Sequence, residues 1–213
     1  MKKLFLWFLL SGPCCVFAQF GIKAGLNFAN VTHASSINGG SKSGFMAGIF
    51  LAPQSKGILS SRTELIYSRQ GYNFNTGSNT GNVNLDYIVL PQLMGVNITK
   101  YFQLQLGAQM AYLLNAKADS AKGGSASPGS YGAIMDYYNK FDYGFAVGAE
   151  IHPYKGLLVG ARYNIGLSKL YKDAMNGQAP SIDTKSNIVQ IFAGWTFGGQ
   201  DSKKKSPPPA DNK

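Results

Sequence analysis

The sequence predicts an all-β protein: an eight-stranded antiparallel up-and-down barrel of the transmembrane kind. Three observations predict it. Apolar and small-or-polar residues alternate over stretches longer than ordinary strands, the connections between those stretches alternate between long and short, and 213 residues hold 26 Gly, 13 Phe and 12 Tyr, a composition that favours strands and turns over helices.

Period-two stretches bounded by turn residues fall at 20–31, 43–53, 60–72, 83–97, 101–116, 138–152, 156–170 and 186–198. Most exceed the ~5 to 6 residues of a usual strand, and several exceed the ~9 to 11 that cross a bilayer at a tilt. The first carries Lys23 on its small-or-polar parity, and the third carries Arg62 and Glu64. The second and fourth alternate too poorly for their faces to be assigned. In the fifth, Phe102, Leu104, Leu106, Ala108, Met110, Tyr112 and Leu114 form the apolar parity, opposed by Gln103, Gln105, Gly107, Gln109, Ala111, Leu113 and Asn115. The sixth sets Phe141, Tyr143, Phe145, Val147, Ala149 and Ile151 against a parity that ends on Glu150 and His152. The seventh opposes Val159, Ala161, Tyr163, Ile165 and Leu167 to a parity holding Arg162, and the eighth opposes Val189, Ile191, Ala193, Trp195 and Phe197 to one holding Gln190 and Phe192.

Connections one, three, five and seven are long and polar (VTHASSINGGSK, YNFNTGSNTGN, KADSAKGGSASPGSYGAIMDYY, YKDAMNGQAPSIDTKS), whereas two, four and six are short (PQSKGI, NITK, PYKG). Outer-membrane barrels sort their loops this way, with long loops outside the cell and tight turns in the periplasm. Eight strands then leave both chain ends periplasmic.

The charged parity holds Lys23, Arg62, Glu64, Glu150 and Arg162. Facing lipid, each would cost about 2 to 4 kcal/mol near the midplane, so these residues are expected inside, as a lumenal charge network. Eight strands enclose only enough room for side chains to fill, which predicts a packed polar lumen in which Arg62 and Arg162 pair with Glu64 and Glu150; one sequence leaves open which goes with which. On the other parity Tyr67, Tyr87, Phe102, Tyr112, Phe141, Tyr143, Tyr163, Trp195 and Phe197 recur towards strand ends, where aromatic girdles meet the membrane interface.

The ends of the chain read separately. Residues 1–18 have the layout of a secretory signal peptide: Lys2 and Lys3, the apolar run Leu4 to Leu10, a Ser-Gly-Pro breaker, and Val16-Phe17-Ala18 before the expected cut. Pro13 precedes Cys14 where a lipoprotein signal needs small residues, so no lipid is assigned there. The barrel domain is expected over 19–198, and 199–213, with three lysines and three prolines, as a disordered periplasmic tail. Without Lys2 and Lys3 the formal charge falls from +10 to about +8, but no basic stripe is interleaved with aromatics, so nucleic acid is not an expected partner.

These pieces together resemble the PorT-like outer-membrane β-barrel proteins of Gram-negative bacteria: FGIKAGLNFANV, SGFMAGIFLAP, TELIYSRQGY, LDYIVLPQLM, FQLQLGAQMAYLLNAK, FDYGFAVGAEIH, GLLVGARYNIGLSKL and NIVQIFAGWTF, in that order. The resemblance covers nearly the whole chain after the leader and implies an eight-stranded barrel in the outer membrane. The family's founder is associated with protein secretion, a role that fold alone does not transfer. Two departures stand out. The family's fourth strand often has an acidic residue two before its proline, where this chain has Val89, and Phe197 is followed by further residues where such chains commonly stop at the aromatic.

Chemistry is sparse. No catalytic residue, metal or cofactor is assigned. The two histidines, His33 and His152, lie next to turns, and no Cys or His cluster has metal spacing. An enzymatic reading would require His33 with Asp119 or Asp136 from neighbouring outer loops. The sequence therefore leads to a monomeric barrel in contact with outer-membrane lipid, with a structural or interaction role in the cell envelope linked to secretion or surface assembly through its long loops or its tail. A small-solute transport barrel and a soluble exported carrier of lipocalin type are the alternatives; the last requires the apolar parity inside.

Overall fold

The computed structural model describes residues 18–32, 42–53, 57–75, 80–120, 138–168 and 185–197. The signal peptide up to residue 17, the tail, His33 and Asp136 lie outside them. Eight strands follow one another: β1 (Ala18–Thr32), β2 (Lys42–Pro53), β3 (Leu59–Asn75), β4 (Thr80–Asn97), β5 (Phe102–Ser120), β6 (Phe141–Tyr154), β7 (Leu157–Gly166) and β8 (Lys185–Phe197). They form a closed barrel in chain order. Every neighbouring pair is antiparallel, and β1 closes on β8 from Phe20↔Phe197 to Thr32↔Lys185. Closure satisfies the edges that an open sheet would present to lipid.

The start of β1 and the end of β8 share one end of the barrel with the three short connections, here the short-turn end. Gly156 turns β6 into β7 with φ +84°, a left-handed conformation that favours glycine. In the turn between β4 and β5 the Thr99 hydroxyl accepts from the Tyr101 N–H at 3.1 Å.

Several boundaries differ from the sequence expectation, β5 among them, which runs to Ser120 and not 116. The third connection is mostly strand: β3 and β4 stay paired out to Asn75↔Thr80, and β4 stays paired with β5 out to Gly81↔Ser120. Its Asn, Gly and Thr composition reads as loop, yet Tyr72, Val83, Leu85 and Ala116 bury one face of the extension, and Lys42 Nζ donates to Asn82 Oδ1 at 2.5 Å. Residues 76–79 lie outside the described part. Elsewhere, β6 starts at Phe141 and not 138, and β7 ends at Gly166 and not 170.

The faces follow the alternation. Leu26, Leu106, Val147 and Ile191 are 46 to 61 % exposed on the outer wall, whereas Lys23, Glu64, Glu150 and Arg162 are at most 3 % exposed inside. A soluble carrier would need the reverse, and this arrangement overturns that alternative. β4 alternates poorly in sequence because its inward side chains, Val83, Leu85, Tyr87, Val89, Pro91 and Leu93, are themselves apolar. The lumen is thus mixed: the charged residues share the short-turn half with buried Phe50, Leu93 and Leu158, and the most apolar packing, with Tyr72, Tyr87, Leu113 and Tyr138, lies towards the long-loop end. Tyr87, expected at the membrane interface, is inside, 2 % exposed. A register shift at Asp86/Tyr87 leaves Leu114 as an extra residue on β5, so that Leu113 and Ala116 are both buried and Asn115 loses the inward place its parity gave it.

Candidate functional site

The lumenal face brings together five charged residues from four strands. Lys23 (β1), Arg62 and Glu64 (β3), Glu150 (β6) and Arg162 (β7) all point inward because each falls on the small-or-polar parity of its strand. Glu64 is the hub. Its Oε2 accepts from Lys23 Nζ at 2.7 Å and from Arg162 Nη1 at 2.7 Å, and its Oε1 accepts from Arg162 Nη2 at 3.0 Å. Arg62 instead forms a two-pronged pair with Glu150, each bond 2.7 Å long. Its Nη1 also lies 3.9 Å from Glu64 Oε1, which joins the two halves of the network. Partners thus cross the barrel: β3 to β7 and β3 to β6.

Aromatic rings floor these cations. Lys23 Nζ sits 4.1 Å from the centre of the Phe192 ring, which Arg162 also approaches at 5.2 Å, and Arg62 lies 4.7 Å from Phe50. Three buried cations face two carboxylates, so the layer carries one excess positive charge before His152 is considered. Val89, the position at which the resemblance implies a missing carboxylate, does point into the lumen and is 6 % exposed.

Amides continue the network on both sides. Towards the short turns, Gln105 accepts from Arg162 Nη2 at 2.8 Å and donates to Gln103, which donates to Ser60 and Asn97. Towards the long loops, Asn27 donates to Ser68 at 2.8 Å and accepts from Gln190 at 3.0 Å, while Gln70 also donates to Ser68. Above these, a water-sized cavity of about 10 Å³ is bordered by Asn164, Gln109, Gln190 and Asp142; Asn164 Oδ1 is buried without a hydrogen-bond partner among the described residues, a polar setting of the kind that holds an ordered water. The Ser168 hydroxyl donates to Asp142 Oδ1 at the outer margin.

At the short-turn end the lumen opens into a cup of about 1280 Å³ whose lining includes Arg62, Gln103, Asn97 and His152, with Tyr101, Tyr154 and Trp195 among its aromatics. His152 Nε2 lies 3.0 Å from Glu150 Oε1, a contact that its place beside a turn did not announce. Glu150 is already held by both Nη atoms of Arg62, so the carboxylate orients a cation as much as an imidazole. His152 has no hydroxyl or thiol partner among the described residues, and no group of three metal-ligating side chains occurs there. Asp119 pairs through its backbone with Asn82 in the β4–β5 ladder.

The aromatics expected at the interface separate into two groups by strand end. Phe102, Trp195 and Phe197 lie towards the short turns, with Phe20 stacked on Phe197 at 6.0 Å. Tyr112, Phe141 and Tyr143 lie towards the long loops, and Tyr67, against Phe45 at 5.9 Å, lies midway along β3. Tyr163 is outward, farther along β7. Tyr67 and Phe102 are half-buried, and the other six are 40 to 56 % exposed.

A family model described as outer membrane protein beta-barrel domain matches residues 17–172. Among solved structures, Neisserial surface protein A is similar at 15 % identity and a TM-score of 0.52, with 84 % of this chain and 99 % of that chain covered. The attachment invasion locus protein Ail of Yersinia pestis is similar at 15 % identity and 0.48, covering 85 % and 100 %. Outer membrane protein W of E. coli is similar at 13 % and 0.44, covering 86 % and 100 %. Identities this low bear on the fold alone, and of these three only the Neisserial protein superposes well enough to do so. No curated protein matches the chain.

Proposed function

The chain belongs to the outer membrane protein beta-barrel domain family, and from that premise we propose that it works as a structural or interaction protein of the cell envelope and not as a pore or an enzyme. It is a protein of the Gram-negative outer membrane. The observation that carries the reading is the filled lumen. Charged side chains from β1, β3, β6 and β7 interlock across the barrel, and an apolar layer lies above them, so the loops and rims are the surfaces left to meet other molecules. The long-loop end then faces the exterior, the short-turn end and both chain ends face the periplasm, and the outward aromatics seat the wall at the two interfaces.

Within the family, the ordered motifs support a PorT-like relationship, and with it a link to secretion or surface assembly. Contact would come through the long loops or through the tail after a leader at 1–18 is removed. The test is photo-cross-linking from residues 117–137 in intact cells. A discrete envelope protein captured from that loop, and not from a probe at the outward Ile191, supports the reading; identical profiles from both sites count against it.

A second reading, small-solute transport, is favoured by the cup at the short-turn end. It requires a path past Arg62 and Glu150. Planar-bilayer recordings are expected to show no sustained conductance, and stable channel openings would replace the first reading by the second.

A further inference from the structure

The outer wall is apolar over most of its height, and Gln92, with Thr63 and Ser61 beside it on β3, breaks it. The residue points outward from β4 between Leu90 and Met94, and beyond them lie Ile88 on one side and Val96 on the other. Its neighbour across the β5 ladder is Ala108, itself between Leu106 and Met110. Leu106 and Met94 are 61 % and 60 % exposed, so the surroundings are lipid-facing wall and not rim. The Gln92 carboxamide accepts one hydrogen bond, from Thr63 Oγ1 at 2.6 Å. Its Nε2, with two N–H groups, has no partner among the described residues.

The backbone beside it is also irregular. The β3–β4 register passes from Thr63↔Gln92 to Ile66↔Val89 without a pairing at Leu90 and Pro91, and Pro91 brings no N–H to the ladder. Acyl chains offer no acceptor, and polar groups unsatisfied in hydrocarbon are costly. A side chain that must find its acceptor within the membrane, on a face kept low by Ala108, fits a protein neighbour better than lipid.

We propose that this face of β3, β4 and β5 is a self-association surface, on which a second copy of the chain docks with Gln92 against Gln92. The occupant follows from the chemistry of the group. A primary amide is both donor and acceptor, so two of them pair reciprocally, and the second lone pair of Oε1 is available beside the bond from Thr63. Copies inserted in one membrane share orientation and depth, so a two-fold axis along the membrane normal brings the same residue face to face. The inference rests on the lipid-facing assignment of the wall, not on the role of the loops, and replaces the monomer expected from sequence.

The test compares Gln92→Cys with Ile191→Cys, on the far wall, in the full chain inserted in native membranes and treated with a short bismaleimide; the unsubstituted chain is the background for Cys14 and Cys15. A dimer-sized product is expected from Q92C and not from I191C. Equal yields from the two, or none from Q92C, overturn the proposal. In lipid vesicles Gln92→Leu should weaken dimerisation about tenfold while heat-modifiable migration persists. A folded Q92L barrel that dimerises as the parent does would equally overturn it.

Discussion

Replacing Glu64 by Gln tests the lumen most severely, because one carboxylate there holds two cations. Glu64 accepts from Lys23 and twice from Arg162, at 2.7 to 3.0 Å, with Arg62 at 3.9 Å, and its side chain has no exposed surface. The Gln side chain keeps the shape but turns one acceptor into a donor facing cations and raises the excess positive charge of the layer from one to two. Breaking a buried pair by removing one partner costs about 3 to 5 kcal/mol, whereas the same change in a hydrated pair costs about 1 or less. Urea unfolding of the vesicle-inserted barrel, followed by the fluorescence of lipid-facing Trp195, separates the two. Glu64→Gln should fall in the upper range, and the triple variant Lys23→Met, Glu64→Leu, Arg162→Met should recover most of the loss because no uncompensated ion of the triad remains. A cost under about 1 kcal/mol for the single change, or a triple variant less stable than the single, would refute a packed ionic lumen.

Two further predictions concern the wall. Leu106→Arg, in the middle of the β5 outer face and 61 % exposed, should destabilise the inserted barrel by about 2 to 4 kcal/mol in the same titration, while arginine at Tyr112, nearer the long-loop end, should cost less. Gly144→Val should block folding, since a Cβ there would stand 2.1 Å from the Ile165 carbonyl oxygen across the β6–β7 ladder; loss of heat-modifiable migration on a detergent gel is the expected sign, and a fully folded G144V barrel would disprove the close approach.

Much of the wall was legible because its signal is local. Period two over long strands gave the outward face of β5 from Phe102 to Leu114, and the sorting of connections gave the closed eight-stranded order. What depended on contacts between distant strands was not legible. Arg62 pairs with Glu150 and Arg162 with Glu64 because barrel closure brings β6 and β7 across from β3 at those depths, and no sequence spacing encodes that. Tyr87 looked like a girdle residue because aromatics usually are in such chains, yet the apolar outer layer of the lumen takes it inside. The β3–β4 extension was hidden by residues that favour turns singly but pair in register once Tyr72, Val83 and Leu85 have a face to bury. The extra residue at Leu114 shifts parity without any Gly or Pro to mark it. Gln92 stood in a strand whose faces the pattern could not assign.

The most direct measurement is an accessibility scan of single cysteines from Leu104 to Tyr112 in the membrane-inserted chain, reading each site with a lipid-confined quencher and with a water-soluble thiol reagent. A packed barrel with its apolar parity outward predicts strict alternation: positions 104, 106, 108, 110 and 112 respond to the lipid quencher, and positions 105, 109 and 111 respond to neither; Gly107 is left unsubstituted because a Cβ there would stand 2.0 Å from the Gln92 carbonyl oxygen. Reaction of the odd positions with the water-soluble reagent would contradict the packed lumen, and reaction of the even positions would contradict the lipid-facing wall.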